Sequence, residues 1–190
     1  MLHRLIRTFD GWVSRRLEIF IFSDEPDCIL RAQIRAAHHP VDLPDAHINA
    51  GDAILLLHLW NEHLPPMPPS GPDLAWANRT WRSFIGSLHR LAQYLHQHPE
   101  IQIRAIGGIS ALFTLEGDSG ARLMQRLGFV FVPYRSKLGR LGEFWENLYA
   151  WFLLWVFNPA SRQSHRIFHL QRTEMWMSRD EFMRRFLNEC

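Results

Sequence analysis

The sequence predicts one α+β domain spanning residues 1–190, with a mixed, mainly antiparallel central sheet flanked by helices. Three observations predict it. The apolar run Ile54-Leu55-Leu56-Leu57 follows Gly51-Asp52 and reads as a central strand buried on both faces. Apolar residues at spacings of three and four over 74–98 read as a long helix, and the strand formers Ile101 to Ile106 then return the chain to the sheet. At 190 residues, 47% hydrophobic and 13% aromatic, the chain can bury one full core.

In chain order, residues 1–15 read as an amphipathic helix, with Leu2, Leu5, Ile6, Phe9, Trp12 and Val13 at helical spacing. Arg4, Arg7 and Asp10 lie between them, so the helix either packs on the core or lies on an anionic membrane surface. Leu17 to Phe22 and Cys28 to Arg35, separated by the turn cluster 23–27, read as a hairpin. A loop with Pro40 and Pro44 leads to the strand at 51–60. The run Pro65 to Pro72 breaks regular structure, and Asp73 is placed to cap the helix that follows. Its stripe includes Leu74, Ala77, Trp81, Phe84, Ile85, Leu88, Leu91, Ala92 and Leu95. Gly107-Gly108 is expected to end the strand 101–106. A helix is expected from Gly117 to Arg126, closed by Gly128, with a strand at 129–132 after it. Ile167 to Met177 reads as a last strand. Arg179 to Asn188 reads as a terminal helix capped by Ser178, with Glu181 three residues on in a capping-box pattern.

Charge and cysteine usage exclude several classes. A formal charge of +2 gives no broad electrostatic footprint for nucleic acid. Lys137 is the sole lysine, a bias that reflects either genome composition or the use of arginine forks to hold carboxylate or phosphate. Cys28 and Cys190 lie far apart and suggest neither a disulfide framework nor a cysteine zinc module. The 11 histidines form no HExxH-type arrangement, and no metal site is expected. No signal-peptide pattern opens the chain, which places the expected location in the cytoplasm. The aromatic amphipathic segment 141–157 carries Phe144, Trp145, Tyr149, Trp151, Phe152, Trp155 and Phe157 but is short of the ~20 apolar residues that span a bilayer. It reads as a core helix or as an interfacial segment docking at the inner face of the cell membrane.

Two groups of residues offer chemistry. In an extended strand, Asp52, Ile54, Leu56, His58, Trp60 and Glu62 share one face while Asn61 points the other way. A histidine among carboxylates is suited to general-base work, so His58 is the candidate base, with Glu62 or Asp52 orienting it. Trp60 and Asn61 are candidate substrate contacts. The alternative is a half-buried polar histidine with Asn61 and Glu62 bonded to loop backbone. On the last strand, Arg172, Glu174 and Trp176 alternate onto one face. Arg172 and Glu174 form either a structural ion pair or a clamp for an anionic substrate. Ser110, Thr114 and Ser119 lack a nucleophile elbow, and neither a P-loop nor a dinucleotide fingerprint occurs.

Gly51-Asp52 with Leu57-His58-Leu59-Trp60-Asn61-Glu62, and the late Arg172-Thr173-Glu174-Met175-Trp176-Met177-Ser178, resemble the bacterial YkoP-like family. Domains of that family occur alone or beside polysaccharide deacetylase domains, which implies an envelope or glycan context. The order of elements, with Arg126-Leu127-Gly128-Phe129 joining a helix to a strand, also resembles the C-terminal half of the GNAT acyltransferases. That likeness implies acyl-CoA as a cofactor. The Gln/Arg-x-x-Gly-x-Gly/Ala loop that cradles its pyrophosphate has no counterpart in Pro72 to Arg82, so no motif supports it. The resulting expectation is an acyltransferase-like domain acting at the membrane surface on an envelope glycan or lipid precursor. A non-catalytic ligand-binding or adaptor domain is the alternative.

Overall fold

A computed structural model describes residues 18–110, 119–134 and 173–187. The expected N-terminal helix 1–15, the aromatic segment 141–157 and the first part of the strand expected over 167–177 lie outside them. In order the elements are β1 (Leu30–Ala36), β2 (Val41–Asp42), β3 (His47–Ile48), β4 (Ala53–Leu59), α1 (Leu74–Gln97), β5 (Ala105–Ser110), α2 (Ser119–Arg126), β6 (Val130–Pro133), β7 (Thr173–Ser178) and α3 (Arg179–Phe186). The fold is α+β. A five-stranded sheet runs β1-β4-β5-β7-β6, and β2 and β3 form a separate hairpin.

Every neighbouring pair in the large sheet is antiparallel except β4 and β5. Their parallel ladder comprises Ile54↔Ala105, Leu55↔Ile106 and Leu56↔Gly107. A parallel pair needs a long crossover, and α1 supplies it. β7 lies between β5 and β6, so the strand latest in the chain completes the middle of the sheet.

The run Ile54 to Leu57 is buried on both faces, as its lack of alternation predicts. Leu55 and Leu57 join Leu30, Ala32, Met175 and Met177 under the helices, against Leu88, Leu91, Ala92 and Leu95 of α1 and Phe182 and Phe186 of α3. Ile54 and Leu56 face the opposite side, with Ala37, Val41, Leu43, Ile48, Ala105 and Trp176. Ser87 sits in the buried stripe of α1 because its hydroxyl is used twice. It accepts the Ile29 N–H at 2.9 Å and donates to the Ser83 carbonyl at 2.7 Å. Leu74 is 90% exposed and belongs to α1 but not to its buried stripe.

The helix ends follow the expected chemistry. Asp73 accepts the Trp76 N–H at 2.6 Å at the start of α1. Gly128 adopts φ +95 just past α2, a conformation that favours glycine. Ser178 caps α3 by accepting the Glu181 N–H at 3.1 Å. The Glu181 carboxylate turns forward onto Arg184 and Arg185.

Three expectations are corrected. The strand at 17–22 reduces, in the described part, to one antiparallel bridge between Phe20 and Ala32, and Glu18 before it has φ +54, outside the extended region. The loop at Pro40 and Pro44 contains the β2–β3 hairpin, held by Val41↔Ile48 and Asp42↔His47. The strand expected at 101–106 instead begins at Ala105, and Gly107-Gly108 lie inside it. A Cβ on Gly107 would overlap the Met175 carbonyl oxygen and the Trp176 ring, so the glycine there admits close approach by β7.

Candidate functional site

Cross-strand register fixes what shares the face of the sheet away from α1 and α3. Arg31, Gln33 and Arg35 of β1 stand opposite His58, Leu56 and Ile54 of β4. Ala105 and Gly107 pair with Ser178 and Trp176, Ile109 pairs with Glu174, and Val130 and Val132 stand opposite Trp176 and Glu174. This face therefore carries the polar residues of β1 and β4 and Glu174 and Ser178 of β7 among small and branched apolar ones.

Glu174 and Trp176 are two apart on β7, so they lie side by side on it. Glu174 is only 4% exposed. An ionisable group so deeply buried needs polar partners, and it has them. The Trp176 indole N–H donates to Oε2 at 2.8 Å. His39, in the connection from β1 to β2, brings Nε2 to 3.2 Å from Oε1 and 3.1 Å from Oε2. The other ring nitrogen of His39, Nδ1, lies 3.0 Å from the Pro40 carbonyl oxygen. His39 is 23% exposed, so the contact joins a buried acid to a group that reaches solvent.

These residues line a cleft together with Arg35, His38, Ala37, Val41, Ile48, Ile54 and Ile109. Its cavity volume is about 20 Å³. A water needs ~10–15 Å³ on this measure, so the cavity has room for one water-sized group. Val41, Ile48, Ile54 and Ile109 from β2, β3, β4 and β5 line it beside the polar Arg35, His38, His39 and Glu174. Beside it, Ser178 donates to Asp45 in the β2–β3 turn at 2.5 Å, which ties the hairpin to the end of β7.

The structure sets Asp52 and His58 apart along β4. Asp52 and His58 share a face, but from just before β4 to near its far end is roughly 20 Å at about 3.3 Å per residue. The Asp52 carboxylate accepts the Asn49 N–H at 2.8 Å and holds the turn into β4. His58 Nε2 donates to the Gln33 carboxamide oxygen at 3.1 Å. Regular pairing ends at Leu59, and Asn61–His63 form a 3-10 turn that leaves Glu62 exposed. Trp60 stacks on His63 at 3.6 Å between ring centroids, and the Arg31 guanidinium lies 5.8 Å from its ring. The side chain of Asn61 and all of Arg172 lie outside the described residues. Of the expected site residues that are described, Glu174 alone lines the cleft.

The sequence reading did not assign His39 to this site. It stands 135 positions from Glu174 in the chain, and His38-His39-Pro40 matches no ligand spacing. A histidine beside proline in a loop otherwise read as irregular is the one signal available. Among the described residues no three His, Cys, Asp or Glu side chains gather as a metal site. No helix among them is long and apolar enough to cross a membrane.

Neither a curated protein nor a solved structure matches the chain. A family model described as the YkoP domain matches residues 14–186. That span includes β1 to α3 and with them His39, Glu174 and Trp176, and the chain therefore belongs to the YkoP domain family.

Proposed function

We propose that the chain is a ligand-binding domain that takes a polar group of an envelope glycan or lipid precursor in the cleft beside Glu174. One observation carries this reading: a buried carboxylate, held by an indole N–H and an imidazole, borders a cavity large enough for one water-sized group. A carboxylate in that setting recognises a hydrogen-bond donor such as a sugar hydroxyl, while the rest of the ligand lies across the mouth by Arg35 and His38. The envelope context comes from the deacetylase association of the family likeness. A thermal-shift series on the full chain with a peptidoglycan disaccharide tests it. Saturation at a hundred times Kd stabilises by about 2.7 kcal/mol. A shift present in the natural chain and absent in Glu174→Gln supports the reading, and no shift at millimolar disaccharide rejects it.

The acyltransferase-like reading is second, and the proximity of His39 to Glu174 favours it, because acyl transfer to a hydroxyl needs an acid–base group. Acyl-CoA binding at the start of α1 is opposed by Asp73, whose carboxylate already takes the Trp76 amide and puts a negative charge where a pyrophosphate would sit. Acetyl-CoA in the same thermal-shift series separates the two readings. Action at a membrane surface is tested by flotation with anionic vesicles, where recovery wholly in the unbound fraction rejects it.

A further inference from the structure

The cleft crosses the sheet. Strand order β1-β4-β5-β7 places Arg35, Ile54, Ile109 and Glu174 on four successive strands, and all four line it. Among the described residues that line the cleft, Arg35 is the one permanently cationic side chain and Glu174 the one acid. Register sets them at opposite corners. Arg35 stands in the row of Ile54, Ala105 and Ser178, whereas Glu174 lies four residues from Ser178 along β7. Three strand spacings of about 4.8 Å and four residues of about 3.3 Å put the two backbones roughly 20 Å apart on the diagonal. That is too far for a direct ion pair, and Ile54 and Ile109 lie on the strands between them.

We propose that Arg35 is the anion-recognising residue of this cleft, and that the ligand is a sugar acid or sugar phosphate. Its hydroxyl meets Glu174 and its oxyanion meets Arg35. The proposal rests on the ligand-binding reading of the cleft. At the Glu174 end, the Trp176 indole and the His39 ring engage at most two of the about four lone-pair sites of a carboxylate, so a hydroxyl in the cavity finds an acceptor. The same carboxylate repels an anion, which directs the oxyanion to the far end. There Arg35 is half-buried. A guanidinium carries five N–H donors in a planar fork, enough to hold an oxyanion bidentately beside a partner it already has. A neutral ligand oxygen gains a weaker hydrogen bond from the same fork, so charge on the ligand is what Arg35 selects. Between the two ends, Ile54 and Ile109 offer apolar contact to the C–H face of a sugar ring.

Isothermal titration calorimetry on the full natural chain tests it with two pairs of probes. One pair is the peptidoglycan disaccharide, which carries a lactyl carboxylate, against its methyl ester. The other is N-acetylglucosamine 1-phosphate against N-acetylglucosamine. The charged member of at least one pair should bind about tenfold more tightly or better, which also tells carboxylate from phosphate. Equal or weaker binding by the charged member of both pairs overturns the proposal and leaves the ligand-binding reading standing. No binding by any of the four probes at millimolar concentration overturns that reading and the proposal with it. Arg35→Gln is expected to abolish the preference and to leave the affinity for the uncharged probes as it was, and a preference that persists overturns the assignment to Arg35. Arg35→Lys keeps the stem and the charge but loses the fork, so it guards against a glutamine variant that fails to fold. It is expected to bind the charged probe more weakly than the natural chain does, and unchanged affinity overturns recognition by the fork.

Discussion

At the residue scale, the positions that decide the cleft are defined by what they exclude as much as by what they bond. Gly107→Ala is expected to destabilise by about 1–3 kcal/mol, because the new methyl meets backbone oxygen and a buried ring that have no room to withdraw. Chemical denaturation checks it, with Gly86→Ala as the control, since a Cβ there meets only the end of the Arg90 side chain at 3.2 Å. Glu100 gives a pH prediction. A hydrogen bond from its backbone and then the His98 side chain, 2.8 Å away, hold its carboxyl below the usual carboxylate range. A depressed folded-state value means that its stabilisation is present above the ordinary carboxylate pKa and is lost as pH falls through the lowered one. Glu100→Gln should accordingly remove the stabilisation present at neutral and alkaline pH and leave stability below the lowered value unchanged, so that the acid-side slope of the profile becomes shallower. Individual residues were legible in the sequence where their chemistry is local. The Asp73 and Ser178 caps depend on amides three residues away. Glu174 and Trp176 are neighbours by strand alternation alone. His39 was not legible, because its partner is fixed only once β1 and β7 occupy their places in one sheet.

At the scale of elements, the caps and the hairpin make distinct contributions. Asp73→Ala should cost about 1 kcal/mol, and Asp73→Asn much less, because either oxygen-bearing side chain accepts the Trp76 N–H. Ser178→Ala should cost more than Asp73→Ala in paired urea titrations, since Ser178 also anchors Asp45 and with it the β2–β3 hairpin. Long elements with a strong period were readable: α1 was expected over 74–98 and runs Leu74–Gln97. Two-residue strands such as β2 and β3 carry no alternation, so Val41 and Ile48 looked like loop residues until they were paired. Gly107-Gly108 misled for a related reason. Glycines break strands by local preference, and here a tertiary contact with Trp176 outweighs that preference.

At the scale of the whole molecule, one core lies between the sheet and its helices and another beneath the hairpin, and they differ in what they can tolerate. Leu91→Ala, at a fully buried site against the sheet, should cost about 2–5 kcal/mol in thermal or urea unfolding. The fold class was legible because central strand, crossover helix and returning strand each had their own pattern. The order of strands was not, since nothing local places residues 173–178 between β5 and β6. That placement has a consequence for how the protein is made. While a ribosome is still supplying residues 134–172, β5 and β6 have no strand to join them, and the newborn sheet keeps an open edge along Ala105–Ser110. The Glu174 carboxylate and its neighbours arrive with the piece that closes that edge, so the chain acquires its cleft in the same event that ends its exposure to mispairing.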